Sequence, residues 1–186
     1  MCKFLLLLGV SGVGKTSIIK ELLKLDDRFI YISPWITRPL RAGETDKVSV
    51  TEEDLQRLLS AGEILAVNDI YGIRYGTPKQ PIKDAFEQGQ FPLLDWPIKR
   101  LDVMTAEFGD RLYRVYIEPP SITELKRRLG QDERDEGGHR LLVALSELER
   151  AWAGDLTDKY DMRIVSDGDI PIIARQIYEK YLISLC

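Results

Sequence analysis

The sequence predicts an α/β fold, a three-layer α/β/α arrangement around a five-stranded parallel sheet, and two observations support this prediction. Short apolar runs alternate with amphipathic helical patterns along most of the chain. The first apolar run leads directly into a glycine-rich stretch, GVSGVGKT at residues 9–16, that opens the first helical pattern. With 186 residues, the chain is expected to form one compact core carrying insertions.

The elements follow one another at short spacing. The first apolar run ends at Gly9, which is too soon for a signal-peptide core or a membrane span, and so indicates a buried strand. The predicted strands are Lys3–Leu8, Phe29–Ser33, Phe91–Asp95, Tyr113–Ile117 and Met162–Val165. The predicted helices are Lys15–Leu25, Lys79–Gln88, Ile98–Phe108, Ser121–Leu129, Arg140–Trp152 and Ile170–Tyr181.

Two segments interrupt this alternation and are predicted to be insertions on a core of residues 1–33, 79–129 and 140–186. The first, residues 34–78, holds a Pro/Arg-rich loop, a helix over TEEDLQRLL, the strand-like ILAVN and the turn-rich YGIRYGTP. Thr51 is the expected N-cap of that helix, with Asp54 three residues later. The second, residues 130–139, reads GQDERDEGGH and is a polar surface segment.

Composition narrows the classes of function. The formal net charge of −4 gives no electrostatic case for nucleic acid or a membrane surface as partner, and the basic run Lys126–Arg128 is expected to be a solvated helix face. Cys2 and Cys186 lack metal-ligand spacing, so we expect a cytoplasmic protein with free thiols. His139 is the only histidine, which argues against a histidine-rich metal site or a Ser-His-Asp triad.

The stretch GVSGVGKT matches the Walker A pattern G-x-x-x-x-G-K-[ST] at every fixed position. Its backbone N–H groups and the following helix N-terminus suit phosphate, Lys15 suits the terminal phosphates, and the Thr16 hydroxyl suits Mg²⁺. The predicted ATP-binding residues are Gly9, Ser11, Gly12, Val13, Gly14, Lys15, Thr16 and Ser17. A GTPase would need an N-K-x-D motif, whereas the only asparagine, Asn68, precedes Asp69-Ile70; a small-molecule kinase fits better.

Four further segments resemble the guanylate kinases. They are ITRPLRAGE at 36–44, RYGTP at 74–78, EPPS at 118–121 and YDMRIVSD at 160–167. This resemblance spans nearly the whole chain in order. It implies that ATP, with Mg²⁺, gives its γ-phosphoryl group to the phosphate of a nucleoside monophosphate, with GMP or dGMP as the working acceptor. Residues 34–78 would bind the acceptor and residues 130–139 would form a short lid.

The resemblance also suggests which side chains act. Arg38, Arg41 and Tyr75 would hold the acceptor phosphate, and two guanidinium groups three positions apart suit a bidentate clamp. Thr77 would contact the acceptor, and Asp95, at a strand end, would contact it or a Mg²⁺-bound water. The candidates for neutralising charge during transfer are Lys15, Arg38, Arg134 and Arg140. An anionic acceptor needs no strong general base, so positioning and charge neutralisation carry the catalysis.

Three positions depart from the family pattern. Where guanylate kinases read guanine with Ser, Glu and Asp side chains, this chain has Pro34, Ala66 and Pro97, and the family's D-Y-x-F segment is absent. Two alternatives therefore stay open. The ribose 1,5-bisphosphate phosphokinases lack the same segment, and their L-A-L stretch in place of the glutamate-bearing strand is similar to Leu65-Ala66-Val67 of this chain. Guanylate-kinase-like domains also serve as non-catalytic binding modules, usually with degraded P-loops. We expect a monomer or homodimer with a small-molecule phosphate acceptor.

Overall fold

The computed structural model describes residues 2–70, 72–131, 138–150 and 159–186. Its strands are β1 (Phe4–Leu8), β2 (Phe29–Tyr31), β3 (Trp35–Ile36), β4 (Val48–Ser49), β5 (Ile64–Ile70), β6 (Ile73–Pro78), β7 (Phe91–Asp95), β8 (Leu112–Glu118) and β9 (Met162–Val165). Its α-helices are α1 (Lys15–Leu25), α2 (Glu52–Ser60), α3 (Lys79–Glu87), α4 (Leu101–Phe108), α5 (Ile122–Gly130), α6 (His139–Arg150) and α7 (Ile170–Ser184).

The predicted five-stranded parallel sheet is confirmed, with strand order β2-β7-β1-β8-β9. The five predicted strands lie within two residues of their observed bounds. Residue contacts divide the chain, apart from its first two residues, into one unit of residues 3–27 and 95–186 and another of residues 28–94.

The core of the first unit surrounds β1, whose five residues are all fully buried. Strand β1 pairs in parallel with β8, from Phe4 opposite Leu112 onward. Helix α7 contributes Ile177 and Tyr181, and the Tyr181 hydroxyl donates to the carbonyl of Lys3 at 2.6 Å. Because a strand buried on both faces has no polar side to present, its sequence reads as an unbroken apolar run.

The second unit holds a mixed four-stranded sheet in the order β4-β3-β6-β5. Helix α2 covers one face of it, with Leu55 and Leu58 packed against Ile64. The expected N-cap is confirmed, since Thr51 Oγ1 accepts from the backbone N–H of Asp54 at 3.0 Å.

One local prediction in this unit is wrong. The segment YGIRYGTP, expected to be turn-rich, contributes strand β6, which pairs antiparallel with β5. Gly72 serves the turn, with φ of +72° and its N–H bonded to the Asp69 carboxylate. Gly76 instead permits packing, because a Cβ there would lie 2.5 Å from Leu55 Cδ1.

The remaining departures are small. The start of the helix predicted from Ile98 is a 3₁₀ turn, Ile98–Arg100, and α4 begins at Leu101. Most of the predicted lid lies outside the described residues, as do the last two residues expected in α6. Within the described ranges, every helix is too short or too polar to span a bilayer.

Candidate active site

The loop between β1 and α1 has a backbone that only glycine can follow at two positions. Gly9 and Gly12 have φ values of +137° and +86°. A Cβ on Gly9 would lie 2.4 Å from the carbonyl oxygen of Ile117, and one on Gly12 would lie 2.9 Å from Leu129 Cγ. The loop is therefore packed tightly against β8 and α5, which fixes its path.

The loop ends at the start of α1. Gly14 is the N-cap residue, and its carbonyl accepts the first helical hydrogen bond, from Ile18 N–H at 3.0 Å. Thr16 and Ser17 are exposed in the first turn, whereas the Val13 side chain is fully buried. Val13 can therefore offer a ligand only its backbone, while Thr16 and Ser17 can offer hydroxyl groups as well.

Lys15 lies against the loop itself. Its ammonium Nζ donates to the carbonyl oxygens of Gly9 at 2.7 Å and Val10 at 2.9 Å. Burial lowers the pKa of Lys15, the carboxylates of Asp95 and Glu147 raise it, and Arg140 lowers it further. The net direction is downward, so the ammonium is under-solvated and would gain from an anionic ligand.

Arg140, on α6, reaches the same loop. Its guanidinium donates to Ser11 Oγ at 2.5 Å and lies close enough to Lys15 to affect its pKa. The first unit thus brings together four residues that the sequence predicted separately: Ser11, Lys15, Asp95 and Arg140. The remaining lid candidate, Arg134, lies outside the described residues.

A divalent cation would find few ligands here. Within the described ranges there is no group of three or more His, Cys, Asp or Glu side chains that could hold a metal. Mg²⁺ keeps several waters and is commonly bound through one or two protein oxygens plus substrate phosphates. Thr16 offers an exposed hydroxyl at the predicted metal position.

The expectation of a solvated basic face is wrong for Arg128. Its guanidinium donates to both Oγ and the carbonyl of Ser166, each at 3.0 Å, and to Glu124 at 2.8 Å. Ser166 directly follows β9, and its Oγ would be 3.8 Å from a Cβ on Gly14. Arg128 therefore fixes the chain where it passes the end of the phosphate loop.

In the second unit, the predicted phosphate-binding arginines differ in their surroundings. Arg38 forms a two-pronged ion pair with Glu44, NH1 to Oε2 at 2.7 Å and NH2 to Oε1 at 2.8 Å. The hydrogen bond to Glu44 is the largest cause that raises the pKa of Arg38, and the nearby Tyr75 raises it further. The Arg41 side chain is exposed, and its backbone N–H donates to Glu44 at 3.1 Å.

The other predicted acceptor residues lie on the β5–β6 hairpin. Tyr75 is half-buried opposite Asn68, and Thr77 is buried opposite Ala66. Directly opposed residues of an antiparallel pair project from the same face, so Tyr75, Asn68, Thr77 and Ala66 share one face of the sheet. Among the predicted acceptor residues of the second unit, Tyr75 and Thr77 thus lie on one face of the hairpin.

The family model of guanylate kinase matches residues 1–172 of this chain. The chain belongs to the guanylate kinase family. It is 30% identical over 171 residues to the guanylate kinase of Trichormus variabilis, covering 89% of this chain and 82% of that one. Over 163 residues it is 31% identical to that of Carboxydothermus hydrogenoformans, covering 86% and 78%. The crystal structure of guanylate kinase from Anaplasma phagocytophilum superimposes with a TM-score of 0.76 at 26% identity, covering 98% of this chain and 85% of that one.

Membership of the guanylate kinase family confirms the predicted fold and reaction class. Guanylate kinases are phosphotransferases, and the comparisons favour neither the sugar bisphosphate kinases nor a non-catalytic binding module. The intact loop around Lys15 agrees with a catalytic member.

At the three positions that depart from the guanylate kinase pattern, the side chains are non-polar. Pro34 and Ala66 are buried, and Pro97 precedes the 3₁₀ turn at Ile98. Neither proline offers a side-chain hydrogen-bonding group or an N–H.

Sequence reasoning assigned no role to Glu44, Asn68 or Arg128. The signals available were Glu44 within the arginine motif and the single asparagine of the chain.

Proposed function

We propose that this chain is an ATP- and Mg²⁺-dependent kinase that transfers the γ-phosphoryl group of ATP to the phosphate of GMP or dGMP. The observation that carries the proposal is the meeting of Lys15 and Arg140 at one glycine-rich loop, in a chain of the guanylate kinase family. Two cations at a phosphate-binding backbone suit a reaction whose catalysis is mainly charge neutralisation.

In this proposal, the loop backbone from Gly9 to Ser17 holds the ATP phosphates, and Lys15 exchanges its carbonyl contacts for phosphate oxygens. Thr16 holds the cation, which supplies charge neutralisation at the β- and γ-phosphates when bound. Arg140, with Arg134 as a further lid candidate, faces charge that develops on the transferred group. The acceptor phosphate is itself the nucleophile, so no side chain needs to remove a proton.

Residues 34–78 bind the acceptor in this proposal. Arg38 and Arg41 hold its phosphate with Tyr75, while Thr77 and Asp95 contact the remainder of the nucleotide or its metal-bound water. Arg38 already has its two terminal nitrogens on Glu44, so a phosphate would approach Nε or displace one carboxylate contact. The proposed compartment is the cytoplasm, where ATP and nucleoside monophosphates are available.

The deciding experiment measures ADP production from ATP–Mg²⁺ with GMP, dGMP, AMP, CMP, UMP and ribose 1,5-bisphosphate. We expect turnover of GMP and dGMP well above the other acceptors. Turnover of ribose 1,5-bisphosphate alone would replace the proposed acceptor while keeping the reaction class. ADP production from none of them, with ATP still bound, would contradict the proposal.

A further inference from the structure

The chain's only asparagine carries a buried oxygen without a partner. Asn68 is 5% exposed, and its Oδ1 has no hydrogen-bond partner among the residues that the structure describes. Buried side-chain oxygens in native proteins nearly always have such a partner, so an unpaired one requires an explanation. Asparagine is also disfavoured within β-strands, so strand propensity does not explain why this residue is at position 68.

The position of Asn68 indicates what it faces. It lies opposite Tyr75 in the β5–β6 pair, and Tyr75 in turn lies opposite Ile36 of β3. Two residues earlier along β5, on the same face, is Ala66, opposite Thr77. Asn68 therefore shares a face with two residues proposed to bind the acceptor.

The opposite face of this sheet is already filled. Gly76 and Val67 point to that side, where a Cβ on Gly76 would lie 2.5 Å from Leu55 of α2 and where Val67 packs against the same apolar cluster. The alternation of side chains along β5 keeps Asn68 away from this cluster. The Asn68 side chain therefore lies on the face that carries Tyr75 and Thr77.

A second unpaired polar atom belongs to another residue proposed to bind the acceptor. Arg38 Nε is buried and has no hydrogen-bond partner within the described ranges, and Arg38 lies close enough to Tyr75, the residue opposite Asn68, for Tyr75 to raise the pKa of Arg38. One atom is a donor and the other an acceptor. A nucleotide offers the complementary pair, because its phosphate oxygens accept hydrogen bonds and its base and sugar donate them.

We infer that Asn68 Oδ1 accepts a hydrogen bond from the acceptor nucleotide, from a base N–H or a ribose O–H, and so contributes to acceptor specificity. The inference rests on the proposed function. Ala66 stands at the position where the guanylate kinase pattern has its guanine-binding glutamate. Asn68, two residues further along the same face, would supply a polar side chain in its place. A site built around a hydrogen bond discriminates strongly against ligands that lack the donor.

Asn68→Ala tests the inference in steady-state kinetics. We expect the KM for GMP to rise about 3- to 10-fold, the effect of losing one neutral hydrogen bond, while the KM for ATP stays unchanged. The thermal midpoint should not fall, because the lost oxygen had no partner in the protein. Gln56→Ala, which removes an exposed carboxamide on α2, is the control and should change neither quantity.

Substrate analogues locate the donor. If the 2-amino group of guanine is bound, the Asn68→Ala effect disappears with IMP; if the ribose 2′-hydroxyl is bound, it disappears with dGMP. An effect that persists with both assigns the contact to another N–H or O–H of the nucleotide. An unchanged KM for all three acceptors, or a lowered midpoint with unchanged KM, would overturn the inference.

Because Asn68 is the only asparagine, selective ¹⁵N,¹³C-asparagine labelling gives one side-chain amide signal. We expect that signal to shift on addition of GMP without ATP. This binding measurement separates the two proposals. If the wild-type protein makes no ADP with GMP, the proposed function has failed, yet a GMP-dependent shift would still support the contact; an unmoved signal would overturn it.

Discussion

Within residues 34–78, Arg38 and Glu44 form a two-pronged ion pair, with guanidinium and carboxylate joined at 2.7 and 2.8 Å through both terminal nitrogens. Both side chains are only about one-eighth exposed, at 13% and 12%. The pair holds the Arg38 guanidinium in place and leaves its Nε for another ligand. Glu44 also accepts from the Arg41 backbone and lies 3.4 Å from Lys47, so one carboxylate organises the whole loop.

The Arg38–Glu44 pair predicts a pH-dependent loss of stability. The pKa of Glu44 is lowered from 4.5 to about 2, and the largest cause is the hydrogen bond that Glu44 accepts from Arg38. Because the pKa is depressed in the folded state, the stabilisation is complete above pH 4.5 and is lost as the pH falls through 2. Allowing for solvent screening, we expect it to be worth about 1 kcal/mol.

Glu44→Gln checks this by urea denaturation between pH 6 and pH 2. The variant should be less stable than wild type at pH 6, and the difference in unfolding free energy should shrink toward pH 2. Glu63→Gln, exposed in the turn after α2 and outside the helix's first turn, is the control that should stay near wild type throughout. A constant difference at every pH would mean that the carboxylate charge does not stabilise the loop.

Arg41→Ala should impair use of the acceptor. Its side chain is exposed, and its link to Glu44 is through the backbone, so the substitution leaves the loop's hydrogen bonds in place. Losing a charged hydrogen bond to phosphate should raise the KM for GMP about 10-fold or more, with the KM for ATP unchanged. Initial rates with each substrate varied in turn measure both constants.

Arg57→Ala is the matched control, since Arg57 is exposed on α2 and pairs only with Asp54 in the described contacts. It removes the same charge from the same unit and should leave both constants near wild type. Equal damage to GMP and ATP use by Arg41→Ala would contradict an acceptor-specific role.

The elements of the core were predictable because their signals are local. Strand β1 is an unbroken apolar run, and α1 follows a glycine motif with clear 3.6-residue periodicity. The bounds of α1 agree with the structure, and β1 begins one residue later than predicted. Strand β6 was not predictable, because Gly76 and Pro78 are typical of turns. Its strand conformation depends on the packing of Leu55 onto Gly76, a contact between segments 21 residues apart in the sequence.

In the candidate site, too, some features follow from local sequence signals and others depend on contacts that the sequence does not reveal. The positions of Lys15 and Thr16 follow from the motif, whose spacing and context specify the geometry. The pairing of Arg38 with Glu44 depends on how the loop turns back on itself, and the burial of Asn68 depends on its register opposite Tyr75. Neither the loop path nor the register is encoded in a short pattern.

Lys15→Ala should abolish phosphoryl transfer while preserving the fold. Within the described part of the chain, the Lys15 ammonium donates to loop carbonyls, those of Gly9 and Val10, and it is under-solvated. Removing a group that neutralises charge in the transition state should lower kcat at least about 10²-fold. ADP production at saturating GMP measures the loss, and circular dichroism checks the fold.

Lys20→Ala provides the comparison, because Lys20 is exposed on the same helix, one and a half turns further on. It should retain wild-type turnover. If Lys15→Ala kept more than about a tenth of the activity, transition-state charge would have to be neutralised chiefly by other groups, and the role given to Lys15 would be wrong.

Gly9→Ala should destabilise the protein as well as inactivate it. A Cβ at Gly9 would lie 2.4 Å from the main-chain oxygen of Ile117, which cannot rotate away as a side chain could, and φ is +137°. Overpacking and backbone strain each cost about 1–3 kcal/mol, so we expect a loss of about 3 kcal/mol in unfolding free energy. Gly130→Ala, with no atom within 4 Å of its Cβ and no positive φ, should be neutral or slightly stabilising. Parallel urea denaturation of both variants tests the contrast, and equal stability would show that the loop can move away from β8.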